Sequence, residues 1–223
     1  MKIIISLILF TDILLLIFFL NFENWLLNFD FSWTISKALP YALLIVSGFL
    51  LAFLFIRLNV IKTKMGKYFF TLFLFIAPFS VGFILNPIYE GDFSMIGKPI
   101  SKKETLSDFK NSDLSVIAIP GCSYCFGSIA KLKFIKKRNP KIRIKFIVCS
   151  NNEKELIPYK NEVKRAFNVE LSGNIEKTFK LVNSSFPAFI QIKNDVAIYK
   201  WSNDQFGVKA IDKLETDYNC IRK

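Results

Sequence analysis

The sequence predicts three transmembrane α-helices followed by an α/β domain, in which helices flank a central mixed sheet. The distribution of charge is the first observation behind this prediction. Residues 1–86 hold only six Lys or Arg and three acidic side chains, whereas residues 87–223 hold 24 basic and 15 acidic ones. Long apolar stretches in the first part, and short ones in the second, are the other observation. Such a chain is suited to lipid first and to water second.

The predicted spans are residues 3–20, 39–56 and 68–85, each 18 residues long. A helix needs about 20 apolar residues to cross a hydrocarbon core of about 30 Å, and flanking residues supply the difference. The first span could instead be a cleaved signal peptide, because Lys2 precedes an apolar run. Residues 21–25 are bulky and polar, however, and offer no small residues for cleavage. We therefore expect an uncleaved span.

Basic residues in the short loops predict the orientation. Arg57, Lys62, Lys64 and Lys67 lie between the second and third spans, whereas the loop at 21–38 carries one lysine against two acids. Loops rich in Lys and Arg remain in the cytoplasm. We expect a multi-pass protein of the inner (plasma) membrane with a cytoplasmic amino terminus. Everything after residue 86 would then be extracytoplasmic, in the periplasm.

Asp12 lies near the middle of the first span, where a carboxylate costs several kcal/mol unless it is protonated or partnered. It could relay protons. It could also be a neutral side chain hydrogen-bonded to Ser47, Thr71 or Ser80 of the other spans. The three spans contain no second charged residue, which favours the structural explanation.

The soluble part is divided into a linker at 87–111 and a domain at 112–223. Pro87, Gly91, Gly97 and Pro99 mark the linker, and the domain is long enough for one core. Apolar periodicity predicts the elements of the domain. These are a strand at 114–119, a helix that stops at Arg138, a strand at 142–148, an ambiguous segment at 153–183, strands at 189–192 and 196–201, and a helix at 204–218.

Within the domain, the helix that ends at Arg138 is predicted to bury Ile129, Leu132 and Ile135 on one face. The strand at 142–148 alternates apolar residues with Arg143 and Lys145, as a half-buried strand does.

The pair Cys122 and Cys125, separated by Ser and Tyr, carries the chemistry. It follows the strand at 114–119 and the turn Pro120-Gly121, so it falls on the first turn of a helix. Two thiols at this spacing can close and reopen a disulfide. The helix amino terminus stabilises a thiolate at Cys122, which would exchange with a substrate disulfide. Cys125, one turn deeper, would resolve the mixed disulfide.

The order of elements resembles the thioredoxin-like superfamily. A strand, a CxxC helix and a further strand are followed by a Pro-led hairpin at 185–195 and a last helix. The long segment between Cys149 and Phe186 is similar to membrane-anchored TlpA/ResA-type thiol-disulfide oxidoreductases of bacterial envelopes. The resemblance implies an α/β thioredoxin-like domain over residues 110–218, with Pro187 in the place of the family's cis-proline. It also implies that Phe186 pairs with the substrate backbone.

Three departures from the family are present. Gly121 replaces the Trp that commonly precedes the first cysteine, and no Asp or Glu occurs at 114–119 to serve as the buried acid of thioredoxins. Proton transfer from Cys125 would then use water or another group. The Gly pair that helps glutaredoxins bind glutathione does not follow Val196, so we expect no glutathione binding.

Cys149 and Cys220 stand apart from the pair. The family topology would put them at opposite poles, and a disulfide needs Cα atoms within about 7 Å, which argues against a bridge between them. Cys149 is either a third redox thiol or a buried core residue, and free cysteines are more often buried.

The chain contains no histidine, which excludes Ser-His and Cys-His catalysis. With one CxxC and two scattered cysteines, we expect no metal and no other cofactor. Eight basic side chains and no acid occur at 131–145. We interpret them as a solvated helix face, with attraction to anionic lipid as the alternative, and expect no nucleic-acid partner.

Two classes of function remain. The first is a membrane-tethered, envelope-facing thiol-disulfide oxidoreductase that acts on protein or peptide thiols and disulfides. The second is a non-catalytic thioredoxin-like membrane partner whose CxxC is a structural or regulatory disulfide. All four cysteines follow residue 86, so the spans cannot carry electrons by disulfide exchange. A separate redox partner protein is therefore expected.

The topology can be tested with reporter fusions at Lys64 and at Lys223. We expect a cytoplasmic signal at Lys64 and an extracytoplasmic signal at Lys223, because the basic loop stays inside. A cytoplasmic signal at Lys223 would contradict the predicted compartment.

Overall fold

The computed structural model describes residues 2–58, 61, 63–94, 97–100 and 107–218. Lys62 and Cys220, which the sequence analysis names, lie outside these residues. The chain forms two compact units, Met1–Ile88 and Tyr89–Lys223.

The first unit is helical. Its helices are α1 (Lys2–Ile17), α2 (Phe19–Asn28), α3 (Trp33–Leu58) and α4 (Lys64–Leu85). Both α3 and α4 are long and apolar enough to cross a membrane. A bend of 75° separates α1 from α2, so a third span exists only if this bent pair counts as one. The first predicted span, residues 3–20, is therefore broken at Phe18 rather than continuous.

The helices of the first unit pack through a small core and expose many apolar side chains. Phe19, Tyr41 and Leu44 are buried together. At Gly48 of α3, an added Cβ would lie 2.3 Å from the carbonyl oxygen of Phe75, so only glycine permits this approach to α4. The exposed apolar residues on α1, α3 and α4 include Phe10, Ile13, Phe49, Phe53, Phe69 and Phe73.

Asp12 is buried within this unit, with 7% of its surface exposed. The Ser47 hydroxyl of α3 donates to the Leu44 carbonyl oxygen at 2.9 Å, and Asp12 Oδ2 has no hydrogen-bond partner in the part of the chain that the structure describes. The role of Asp12 therefore stays a prediction.

The second unit is an α/β domain with a mixed sheet, as the sequence predicts. Its helices are α5 (Glu90–Phe93), α6 (Ser123–Arg138), α7 (Leu156–Val163), α8 (Ile175–Val182) and α9 (Val208–Asp217). Its strands are β1 (Lys98–Pro99), β2 (Leu114–Ala118), β3 (Ile144–Val148), β4 (Asn168–Leu171), β5 (Ala188–Lys193) and β6 (Val196–Trp201). The sheet order is β1-β6-β5-β2-β3-β4, in which β2, β3 and β4 are parallel and β5, β6 and β1 are antiparallel.

Part of the segment predicted as a linker belongs to this domain. β1 pairs with β6, and α5 packs against α9. The buried Asp92 accepts hydrogen bonds from the backbone N–H groups of Tyr89 and Val208, at 2.9 and 3.4 Å, and so caps α9. The predicted helix at 204–218 accordingly begins only at Val208.

Helices cover both faces of the sheet. Ile129, Leu132 and Ile135 of α6 are fully buried, which confirms the predicted apolar face. All five residues of β2 are buried. β3 is not the half-buried strand that was predicted, because Ile147 on its second face is buried against the α8 side of the core.

An ion pair joins the residues that precede β2 and β3. The Arg143 guanidinium donates to both carboxylate oxygens of Asp113, at 3.1 and 2.6 Å, and the Arg143 backbone N–H donates to the same side chain. This bidentate contact raises the pKa of Arg143. It fixes the amino ends of the two parallel strands.

Candidate active site

The sheet register brings the predicted site residues to one end of the domain. Ala118 of β2 is level with Val148 of β3, and Ile117 is level with Ala188 of β5. Three segments therefore lie at the same end of the sheet. They are the chain that leaves β2 toward the CxxC pair, the chain that leaves β3 at Cys149, and the Phe186–Pro187 bond that enters β5.

Cys122 and Cys125 form a disulfide across the first turn of α6, with their Cα atoms 5.2 Å apart. Cys122 is the N-cap residue, and its Sγ accepts a hydrogen bond from the Cys125 backbone N–H at 3.1 Å. Cys125 is fully buried, whereas Cys122 is partly exposed. Of the two disulfide-bonded cysteines, Cys122 is thus the one that reaches the surface.

Gly121 has a backbone φ of 70°, in the left-handed region. Nothing lies within 4 Å of a Cβ added there, so the conformation and not the space favours glycine. A residue with a side chain, such as Trp, would be strained in this conformation.

The Phe186–Pro187 peptide bond is cis. Pro187 is buried, and Phe186 is half-buried with its ring 5.0 Å from that of Phe179 on α8. The register given above sets this bond beside Ala118 and Ile119, the residues that lead to the CxxC turn.

Tyr159 on α7 lies against the same turn, and sequence reasoning missed it. Its hydroxyl donates to the Ile119 carbonyl oxygen at 2.7 Å. Its ring stacks on Phe126 of α6 with centroids 4.2 Å apart. Burial raises the pKa of Tyr159, so the hydroxyl keeps its proton at neutral pH.

A groove of about 380 Å³ opens beside the disulfide on α6. It is lined by Ser123, Tyr124, Gly127, Ser128, Lys131, Phe189 and Asn203. Tyr124, between the two cysteines, is 70% exposed. None of the lining residues is acidic, so the groove offers polar and aromatic contacts with one positive charge at Lys131.

Cys149 is a buried free thiol, 6% exposed, within the α8 side of the core. Its backbone N–H donates to the Ala118 carbonyl oxygen at 2.8 Å. Burial, together with the nearby Asp108, raises the pKa of Cys149 to about 12. These properties support the core interpretation over a third redox thiol.

All eight basic side chains of the stretch 131–145 are exposed or partly exposed, as a solvated face requires, and several of them also pair within the domain. Lys133 pairs with Glu162 at 3.3 Å, and Lys145 pairs with Glu170 at 3.2 Å. Arg138 pairs with the buried Glu215. In the described parts of the chain, no three His, Cys, Asp or Glu side chains are grouped to hold a metal ion.

No protein-family model and no curated protein matches the chain. A solved structure of a secreted Mycobacterium tuberculosis disulfide oxidoreductase, homologous to E. coli DsbE, shares 16% identity. The match covers 47% of this chain and 79% of that chain, with a TM-score of 0.37. A thioredoxin-like protein from Bacteroides caccae shares 14% identity over 83% of each chain, with a TM-score of 0.36. Both similarities are too low to carry an argument about this chain, so the site geometry carries the functional conclusion.

Cys149 should be nearly inert in the native protein. With its pKa near 12, the thiolate fraction at pH 8 is roughly a thousandfold below that of an exposed cysteine. We expect iodoacetamide to label Cys149 at pH 8 at least about a hundredfold more slowly in the native protein than in urea, as measured by peptide mass spectrometry. Equal rates in the two conditions would contradict the core assignment.

Proposed function

We propose that this protein is a membrane-tethered thiol-disulfide oxidoreductase that acts on protein or peptide thiols and disulfides. One observation carries the proposal: a CxxC disulfide caps a helix at a sheet end, with one cysteine partly exposed and the other buried. A disulfide that only stabilises the fold does not require one exposed and one buried cysteine. It also does not require a helix amino terminus beside Cys122.

The exchange reaction balances with the two cysteines alone. In the reducing direction, the Cys122 thiolate attacks a substrate disulfide, forms a mixed disulfide and releases one substrate thiolate, which takes up a proton. The Cys125 thiol then loses its proton and attacks the Cys122 sulfur. This step closes the Cys122–Cys125 bond and releases the second substrate thiol. The oxidising direction is the same sequence in reverse.

The helix supports the first step through charge. The Cys125 N–H already donates to the Cys122 sulfur, and the unpaired N–H groups of the first turn favour negative charge there. The pKa of the Cys122 thiol in the reduced protein should therefore fall below the usual value of about 8.5.

Substrate binding is assigned to Phe186, Pro187 and the groove beside Tyr124. The peptide group before Pro187 would pair with the substrate backbone next to the reacting sulfur. The groove would accept side chains that flank the substrate cysteine. Its polar and aromatic lining suits a range of peptide sequences.

The helices of the first unit would tether the domain to a lipid bilayer. Their many exposed apolar side chains need an apolar surrounding, which a membrane supplies. With the predicted orientation, the domain would face an oxidising envelope compartment, where disulfides persist. Since every cysteine follows residue 86, a separate protein would exchange electrons with the pair.

Substitution of each cysteine tests the chemistry in the full-length protein in detergent. Cys122→Ser should abolish reduction of insulin disulfides, because the attacking sulfur is lost. Cys125→Ser should accumulate a mixed disulfide with substrate, visible on a non-reducing gel, because attack survives and resolution does not. Cys149→Ser is the control and should keep the parent rate.

Activity of Cys122→Ser equal to that of the parent would contradict the proposal. Loss of insulin reduction without any mixed disulfide in Cys125→Ser would favour the non-catalytic alternative, in which the CxxC is a structural or regulatory disulfide.

A further inference from the structure

We propose that Tyr159 is a positioning residue whose hydroxyl fixes the turn before Cys122 and thereby sets the reactivity of the Cys122 thiol. This proposal rests on the proposed function, because it concerns the same sulfur. Tyr159 lies 34 positions beyond Cys125 in the chain and reaches the site only through the packing of α7 on α6.

The Tyr159 side chain contacts both flanks of the short CxxC turn. Its hydroxyl donates to the carbonyl oxygen of Ile119, the last residue before Pro120, at 2.7 Å. Its ring stacks on Phe126, the residue that follows Cys125. Pro120 has no N–H of its own to give to this turn, and Gly121 is the least restricted residue type. One side chain thus restrains the chain on both sides of the two cysteines.

The ring of Tyr159 is itself held firmly. It stacks on Phe126 with an interplanar angle of 8°, and its centroid lies 5.2 Å from that of the fully buried Phe146 ring. Tyr159 is 1% exposed, so its hydroxyl cannot exchange the Ile119 carbonyl for bulk water without disturbing the core. A rigid ring can set its hydroxyl to within a narrow range of positions.

The backbone angles of Cys122 link this turn to the sulfur. Cys122 is extended, with φ of −79° and ψ of 107°, and this conformation points its Sγ at the Cys125 N–H. Only Pro120 and Gly121 separate Cys122 from Ile119, whose carbonyl oxygen the Tyr159 hydroxyl holds. Without this hydrogen bond, Cys122 would sample other positions, and the N–H groups of the helix would stabilise the thiolate less of the time.

The strand before the cysteines supplies no acidic side chain. β2 contains neither Asp nor Glu, so no carboxylate from that strand lies beside the cysteines. The Tyr159 hydroxyl contacts the chain just after β2 instead. Because the phenol stays neutral near pH 7, it acts through hydrogen bonds and adds no charge that titrates with the thiols. The pH profile of the reaction should then report Cys122 alone.

The test is Tyr159→Phe in the full-length protein, with Tyr199→Phe as the control. Phe keeps the ring stack on Phe126 and removes only the hydroxyl. Tyr199 lies on β6, and its ring contacts Trp201 rather than the CxxC turn. The reduced proteins are labelled with iodoacetamide between pH 5 and 9, and the rate at Cys122 is followed by mass spectrometry.

Tyr159→Phe should raise the pH midpoint of Cys122 labelling and lower its rate at pH 6 about three- to tenfold, the effect of losing one hydrogen bond. Its thermal unfolding midpoint should stay close to that of the parent, and Tyr199→Phe should match the parent in both properties. An unchanged midpoint and rate in Tyr159→Phe would overturn the proposal.

Two further results separate the possible failures. If the parent shows neither insulin reduction nor a low midpoint at Cys122, the proposed function fails. If the parent is active and only the tyrosine substitution has no effect, the role of Tyr159 fails and the function stands. Should Tyr159→Phe not fold, NMR of the Tyr159 hydroxyl proton in the oxidised parent decides instead. Slow exchange of this proton with water supports its hydrogen bond to Ile119, and exchange as fast as in a free tyrosine overturns it.

Discussion

The register of strand β2 is the constraint on which the site depends. β2 pairs with β3 on one side and with β5 on the other, and all five of its residues are buried. A shift by one residue would turn its buried side chains to the opposite face, which the packing of helices on both faces forbids. Since the register is fixed, the chain segments that carry Cys122, Cys149 and Pro187 must emerge at one end of the sheet.

Burial then gives the cysteines at this end different properties. Cys125 and Cys149 lie inside the core, whereas Cys122 caps the helix and is partly exposed. Burial disfavours a thiolate, and a helix amino terminus favours one. The fold thus presents one partly exposed cysteine, its buried disulfide partner, and a further buried cysteine whose thiol is free.

Local patterns in the sequence predict a large part of this arrangement. The CxxC spacing, the buried face of α6 with Ile129 and Leu132, and the hairpin after Pro187 all depend on residues close together in the chain. The bend at Phe18, the two-residue strand β1 and the contact of Tyr159 with the CxxC turn depend on tertiary packing. The residues next to Tyr159 in the chain give no sign of this contact, because the hydroxyl's acceptor, Ile119, lies 40 positions away.

A redox titration of the Cys122–Cys125 pair in the full-length protein tests the central claim most directly. The protein is equilibrated with glutathione or dithiothreitol buffers, the free thiols are trapped, and the mass shift of the peptide is measured. We predict one reversible two-electron transition in the folded protein, with a tenfold change in the equilibrium constant for about every 30 mV. A pair that stays oxidised in these buffers until the protein unfolds would contradict the account and identify the disulfide as structural.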